Sequence, residues 1–87
     1  MMSSVTKKFE LVTEDTIKLD DGTVLYRIRA LIAFGNVESG ELGGYIEKET
    51  NLDVYGDAWV SGNAWVYGDA RVSGNAWVYG DAWVSGN

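Results

Sequence analysis

Three pairs of carboxylates stand close enough along the chain to work together as acid and base: Asp20 with Asp21, Glu38 with Glu41, and Glu47 with Glu49. Such chemistry needs two groups whose surroundings drive their pKa values apart. Each pair lies beside a turn or in a polar segment, so solvated charge is the expected role. The chain contains no His and no Cys. It therefore lacks the commonest general base and the commonest zinc ligands. Asp57, Asp69 and Asp81 recur at fixed spacing, and a hard cation such as calcium takes oxygen ligands. Their spacing does not match an EF-hand loop, and each is expected to hold its own turn. The reading is of a non-enzymatic chain with no catalytic residue, no metal site and no cofactor.

The residues better suited to function are aromatic. Trp59, Trp65, Trp77 and Trp83 recur in one sequence context, and Arg71 takes the Trp place once. Trp is enriched at interface hot spots, and contiguous apolar patches mark interaction sites. The interface candidates are these four Trp residues with Tyr79 and Val84. A protein interface, self-association included, is preferred over bare stacking and over a sugar-binding platform.

The elements that must position them form a repeat. From Val54 the chain reads VYGDAW VSGNAW VYGDAR VSGNAW VYGDAW VSGN, a unit of six residues. A short fixed period marks a solenoid. Within each unit Ala and Val alternate with bulkier or polar residues, the period of a strand. Val54, Val60, Val66, Val72 and Val78 are expected to point inward, with Ala58, Ala64, Ala70, Ala76 and Ala82. Trp, Tyr and Ser are expected to point outward. Gly followed by Asp or Asn supplies the corner.

The hexads resemble the repeat of left-handed parallel β-helices, in which an aliphatic residue leads each hexad and a small residue takes its fifth place. Val60 and Ala64 fill those places, as does every later pair. The resemblance implies a left hand and a triangular coil of three hexads, so that residues eighteen apart stack. Trp59 then meets Trp77, Trp65 meets Trp83, and Arg71 meets Asp53. Tyr55 meets Ser73, Ser61 meets Tyr79, and Tyr67 meets Ser85. Asp57 meets Asn75, Asn63 meets Asp81, and Asp69 meets Asn87. The run RIRALIAFGNVESGELGGYIEKETNL resembles a segment of uncharacterised bacterial and phage proteins with acyltransferase-like hexapeptide repeats. That likeness implies an N-terminal cap and names no activity.

Upstream, Lys8 to Thr13 and Thr16 to Leu19 read as two short strands, after a loose tail at residues 1–7. Asp20-Asp21-Gly22 is a hairpin turn. Thr23 to Ile32 is the longest strand expected, with Val24, Tyr26, Ile28, Ala30 and Ile32 on one face. A two-residue loop at Asp21-Gly22 would set Arg29 opposite Glu14. Counting back by six from Ala58 places Leu52 and Ile46 in the inward Ala column. The expected fold is all-β: an N-terminal β-hairpin cap leading into a short left-handed parallel β-helix of about two to three coils. Residues 1–50 form the cap and first irregular coil, and residues 51–87 the repeats.

The chain has 87 residues and a net charge of −6, spread evenly over both parts. Acidity disfavours nucleic acid, because phosphate binding needs basic patches. The start, MMSSVTKKFELV, has no long apolar run of a signal peptide or membrane span. A cytoplasmic or virion-associated protein that does not bind membranes is expected. The preferred function is a structural or interaction module, of phage type, that self-associates through its open C-terminal edge and Trp ladders. A dimer is favoured, with a trimer next, and an unknown protein partner is the further option. The alternatives are a carbohydrate-binding module using the Trp ladders, or a small acidic phage-type inhibitor seated in a basic groove.

Overall fold

The computed structural model describes residues 8–54 and 56–86. The expectations for residues 1–7, for Tyr55 over Ser73 and for Asn87 over Asp69 lie outside the described residues. The described residues are all-β, with one short 3-10 turn among them at Glu49–Asn51. Its strands are β1 (Phe9–Lys18), β2 (Val24–Ala30), β3 (Leu42–Ile46), β4 (Trp59–Val60), β5 (Trp65–Gly68), β6 (Trp77–Val78) and β7 (Trp83–Gly86). One five-stranded sheet runs β1-β2-β3-β5-β7, and a second pairs β4 with β6. The β1-β2 and β2-β3 contacts are antiparallel; β3-β5, β5-β7 and β4-β6 are parallel. The hairpin therefore extends one face of the solenoid, and the sheet runs without interruption past residue 50.

The two expected N-terminal strands are one strand with a bulge. Pairing shifts between Val12, opposite Arg27, and Thr16, opposite Tyr26, so Thr13, Glu14 and Asp15 are extra. A bulge bends its strand and re-aims a side chain; here it turns Asp15 toward Arg27, whose Nε donates to Oδ2 at 2.7 Å. The turn also differs. Leu19 and Thr23 close it, with Gly22 at φ 96°, the three-residue hairpin whose last loop position favours Gly. Thr23 N–H donates to Asp21 Oδ1 at 2.9 Å. Both changes move the register, so Arg29 lies opposite Glu10 and pairs with it rather than with Glu14. Strand β2 stops at Ala30, so Ile32, expected on its face, lies beyond it and is exposed.

The repeats stack with the expected eighteen-residue spacing: Trp59 beside Trp77, Val60 beside Val78, Trp65 beside Trp83, Tyr67 beside Ser85. The first coil does not. Ile46 lies beside Val66 and Leu52 beside Val72, each partner twenty residues ahead. Ile46 and Leu52 thus stand in the Val column, not the Ala column. The two added residues are taken up between Leu52 and Gly56, since Asp57 N–H again donates to Gly74 O at 3.1 Å. Leu52 fills the inward place, fully buried, and Val54 is displaced to a half-buried position beside the core.

The core is continuous from cap to repeats. Phe9, Ile28, Ala30 and Val37 pack in one cluster with Ile46, Leu52, Ala58, Val60, Ala64, Val66 and Val72. Small residues keep the tube narrow, and corner glycines such as Gly62, at φ 65°, turn it.

Lys8 closes the lower end. Its side chain is buried; Nζ donates to Ala58 O at 2.8 Å and Gly56 O at 3.5 Å, and lies 4.6 Å from the centre of the Phe34 ring. Burial pushes the Lys8 pKa below its ordinary 10.5, against the raising pull of Asp53 and Asp57. The unfolded chain then binds a proton more tightly than the folded one, so stability rises with pH from the folded pKa up to 10.5. Urea unfolding of the parent and of Lys8→Met at neutral pH and near pH 10 should show the parent gaining on the variant as pH rises. A difference that stays flat or falls would refute this account.

Candidate functional site

A row of side chains crosses the five-stranded sheet. Arg27 lies opposite Tyr45, Tyr45 opposite Trp65, and Trp65 opposite Trp83. The row begins on a cation: the Arg27 guanidinium covers the Tyr45 ring at 4.6 Å and donates to its hydroxyl at 2.7 Å. The other guanidinium contacts are Asp15 and Gly43 O, the latter at 3.0 Å. Tyr45 hydroxyl donates in turn to Asp15 Oδ1 at 3.1 Å. The row ends on stacked indoles, Trp65 and Trp83, with centroids 4.5 Å apart and planes 2° from parallel. Trp83 is 64 % exposed.

The second Trp column differs from the expected exposed ladder. Trp59 is fully buried, because the Phe34–Val37 turn folds over it and Phe34 meets its ring edge-on at 5.3 Å. It belongs to the core and is withdrawn from the interface set. Its indole Nε1 is enclosed without a hydrogen-bond partner. Trp77, on the next rung, is 45 % exposed, and its Nε1 donates to Ser61 Oγ at 3.1 Å. On the third face Arg71 meets Asp53 at 3.7 Å, but diagonally, because the twenty-residue first coil sets Leu52 and not Val54 beside Val72.

The inward columns change character along the solenoid. Ala58, Ala64, Val60 and Val66 are fully buried and Val72 nearly so. Ala70, Val78 and Val84 are half-buried, and Ala76 and Ala82 are exposed. Ala76, Val78, Ala82 and Val84 repeat Ala58, Val60, Ala64 and Val66, which are buried one coil earlier. The last rung thus presents Arg71, Trp77 and Trp83 outside, Ala76, Val78, Ala82 and Val84 inside, and Tyr79, 70 % exposed, beside them. Of the interface candidates, Trp77, Tyr79, Trp83 and Val84 fall on this rung, Trp65 lies one coil below, and Trp59 is removed from it.

The carboxylate pairs are engaged with backbone. Glu41 Oε1 accepts from Glu38 N–H at 3.0 Å, and Glu47 Oε1 from Gly68 N–H at 2.8 Å. The Thr23 backbone N–H holds the Asp21 carboxyl below its ordinary value. Among the described residues no three carboxylates converge. No helix among them is long and apolar enough to cross a membrane.

Two buried polar residues escaped sequence reasoning, Lys8 and Asn51. Asn51 is fully enclosed and makes four hydrogen bonds. Its Nδ2 donates to Gly68 O at 3.1 Å and Ala70 O at 2.8 Å; its Oδ1 accepts from Glu47 N–H at 3.1 Å and Lys48 N–H at 2.8 Å. Its one sequence signal is position: it precedes Leu52, where the regular unit breaks.

A search of the curated proteins found no match. The family model described as YdcK Beta solenoid repeat matches in three overlapping segments, residues 54–68, 64–80 and 70–86. Those are the segments whose strands stack in parallel, and this part of the chain is accordingly similar to the β-solenoid repeats of that family.

Proposed function

We propose that this protein is a non-enzymatic structural module, a left-handed β-solenoid that associates with a second copy of itself through its Trp faces. The observation that carries this reading is the exposure of Trp77 and Trp83, 45 % and 64 %, on two faces of the solenoid. Exposed aromatic surface marks interaction sites, and Trp is enriched at interface hot spots. A twofold dimer is the simplest closed assembly. Sedimentation at micromolar concentration should give a dimer. A folded monomer would refute the reading, and a trimer would replace the twofold geometry.

A second reading has one observation in its favour. A cleft of about 430 Å³ lies between the hairpin turn, Lys18 to Asp21, and Trp65, Tyr67 and Trp83. Aromatic and charged groups together suit a sugar, although each stacked indole already covers a face of the other. Tryptophan fluorescence against a glycan panel should change with none of the sugars if the first reading holds.

A further inference from the structure

We propose that the cleft beside the Phe34–Val37 turn binds an organic cation, a guanidinium group above all, between the Asp57 carboxylate and the Trp77 indole. The cleft holds about 200 Å³; its walls are turn residues 35–37, the corner residues Asp57 and Asn75, and Trp59 and Trp77. It lies between the cap and two successive coils, on the side of the solenoid. It therefore does not depend on what adjoins either end of the stack. The inference goes beyond self-association and concerns a single copy.

The cleft exists because the cap interrupts the Trp ladder. Trp65 and Trp83 are cross-strand neighbours and stack at 4.5 Å, which leaves no room between them. Trp59 and Trp77 are neighbours in the same way, but Trp59 is buried against Phe34, edge-on at 5.3 Å. Trp77 reaches instead to Ser61, and the bond from its Nε1 to Ser61 Oγ holds a partly exposed indole in place. A wall fixed in advance gives up little freedom when a ligand lands on it. Asp57 is fixed as well. A Cβ on Gly35 would lie 3.7 Å from Asp57 Oδ2, so the turn rests against the carboxylate. Asn36 and Asn75 add amide oxygens that accept hydrogen bonds.

Charge and chemistry choose the occupant. The chain carries −6, and among the described residues no basic side chain lines the cleft. Lys8 acts on Asp57 from within the protein, but its ammonium is committed to the Gly56 and Ala58 carbonyls. A guanidinium is planar, stacks on an indole and gives two parallel N–H bonds to a carboxylate. The molecule builds this set once for itself, where Arg27 covers Tyr45 at 4.6 Å and donates to Asp15. In the cleft the aromatic ring and the carboxylate stand ready, and the cation comes from outside. An anion would meet the Asp57 charge, and a neutral ligand would leave that charge unanswered.

Two-dimensional NMR of the parent titrated with N-acetylarginine amide tests this, with N-acetylcitrulline amide as a neutral probe of the same shape. Signals of residues 35–37 and of the Trp77 indole should move with roughly millimolar affinity, and the citrulline probe should bind about tenfold more weakly or worse. Asp57→Asn should weaken the arginine probe about tenfold. The repeat itself carries Asn at this place, as at Asn63 and Asn75, so the fold accommodates the change. Asp81→Asn removes the same charge at another corner and should alter binding by roughly twofold at most, since distant exposed charges are screened. A short peptide with one central arginine identifies the source. Binding about tenfold tighter than the single residue assigns the site to a protein side chain, and equal binding assigns it to a small free cation. No shift with either arginine probe, equal binding of the citrulline probe, or equal weakening by Asp57→Asn and Asp81→Asn overturns the inference. Sedimentation of the same samples reports association separately, so a monomeric parent defeats the self-association reading and leaves this site standing.

Discussion

Asn51→Leu should cost about 4 kcal/mol or more and leave much of the protein unfolded. Asn51 satisfies four backbone groups at once, two carbonyls on the coil above and the N–H groups of Glu47 and Lys48 just ahead of its own 3-10 turn. A buried backbone group stripped of its partner costs about 1–3 kcal/mol. A leucine of similar size fills the space and answers none of the four. Small domains hold only about 5–15 kcal/mol in all, so the loss is a large fraction of the total. Asn51→Asp separates donor from acceptor: it keeps the acceptor for Glu47 and Lys48 and sets a carboxylate against two carbonyls. Both variants should melt well below the parent by circular dichroism. Parent-like melting of Asn51→Leu would mean that the corner is held elsewhere.

Gly43→Ala should destabilise by about 3 kcal/mol, at the upper end of overpacking effects. A Cβ at Gly43 would meet the Val60 carbonyl oxygen, and would come within 2.7 Å of both Ile28 Cγ1 and Trp59 Cζ2. All three are held in the core, and the nearest is backbone, which cannot move aside as a side chain does. Gly43 has no positive φ, so the cost is steric. Gly74 is the complementary case: its φ is 65°, and a Cβ there would meet nothing within 4 Å. Gly74→Ala should cost only about 1–2 kcal/mol, the strain of a left-handed L-residue. Denaturant midpoints of the two variants measure the difference, and equal costs would mean that the close approach at Gly43 is relieved by shifts of β3.

The sequence by itself determined what a repeat can encode. The six-residue unit specified which residues point in, where the corners fall and which residues stack eighteen apart, because each rung meets only its neighbours and identical rungs impose identical contacts. Trp65 over Trp83 and Tyr67 beside Ser85 follow from that spacing alone. Only the tertiary structure decided what happens where the repeat meets a segment that does not repeat. The bulge at Thr13–Asp15, the twenty-residue first coil and the covering of Trp59 by the Phe34–Val37 turn each depend on partners far away in sequence. The same holds for Lys8, bonded to a carbonyl 50 residues away, and for Asn51, which caps the coil above it. Burial of a polar or aromatic side chain is set by the groups that close over it, and those groups share no period with it. Four Trp codons in one context therefore yield one core residue, one half-buried residue and two exposed residues, according to whether a cap, a coil or solvent lies next to each.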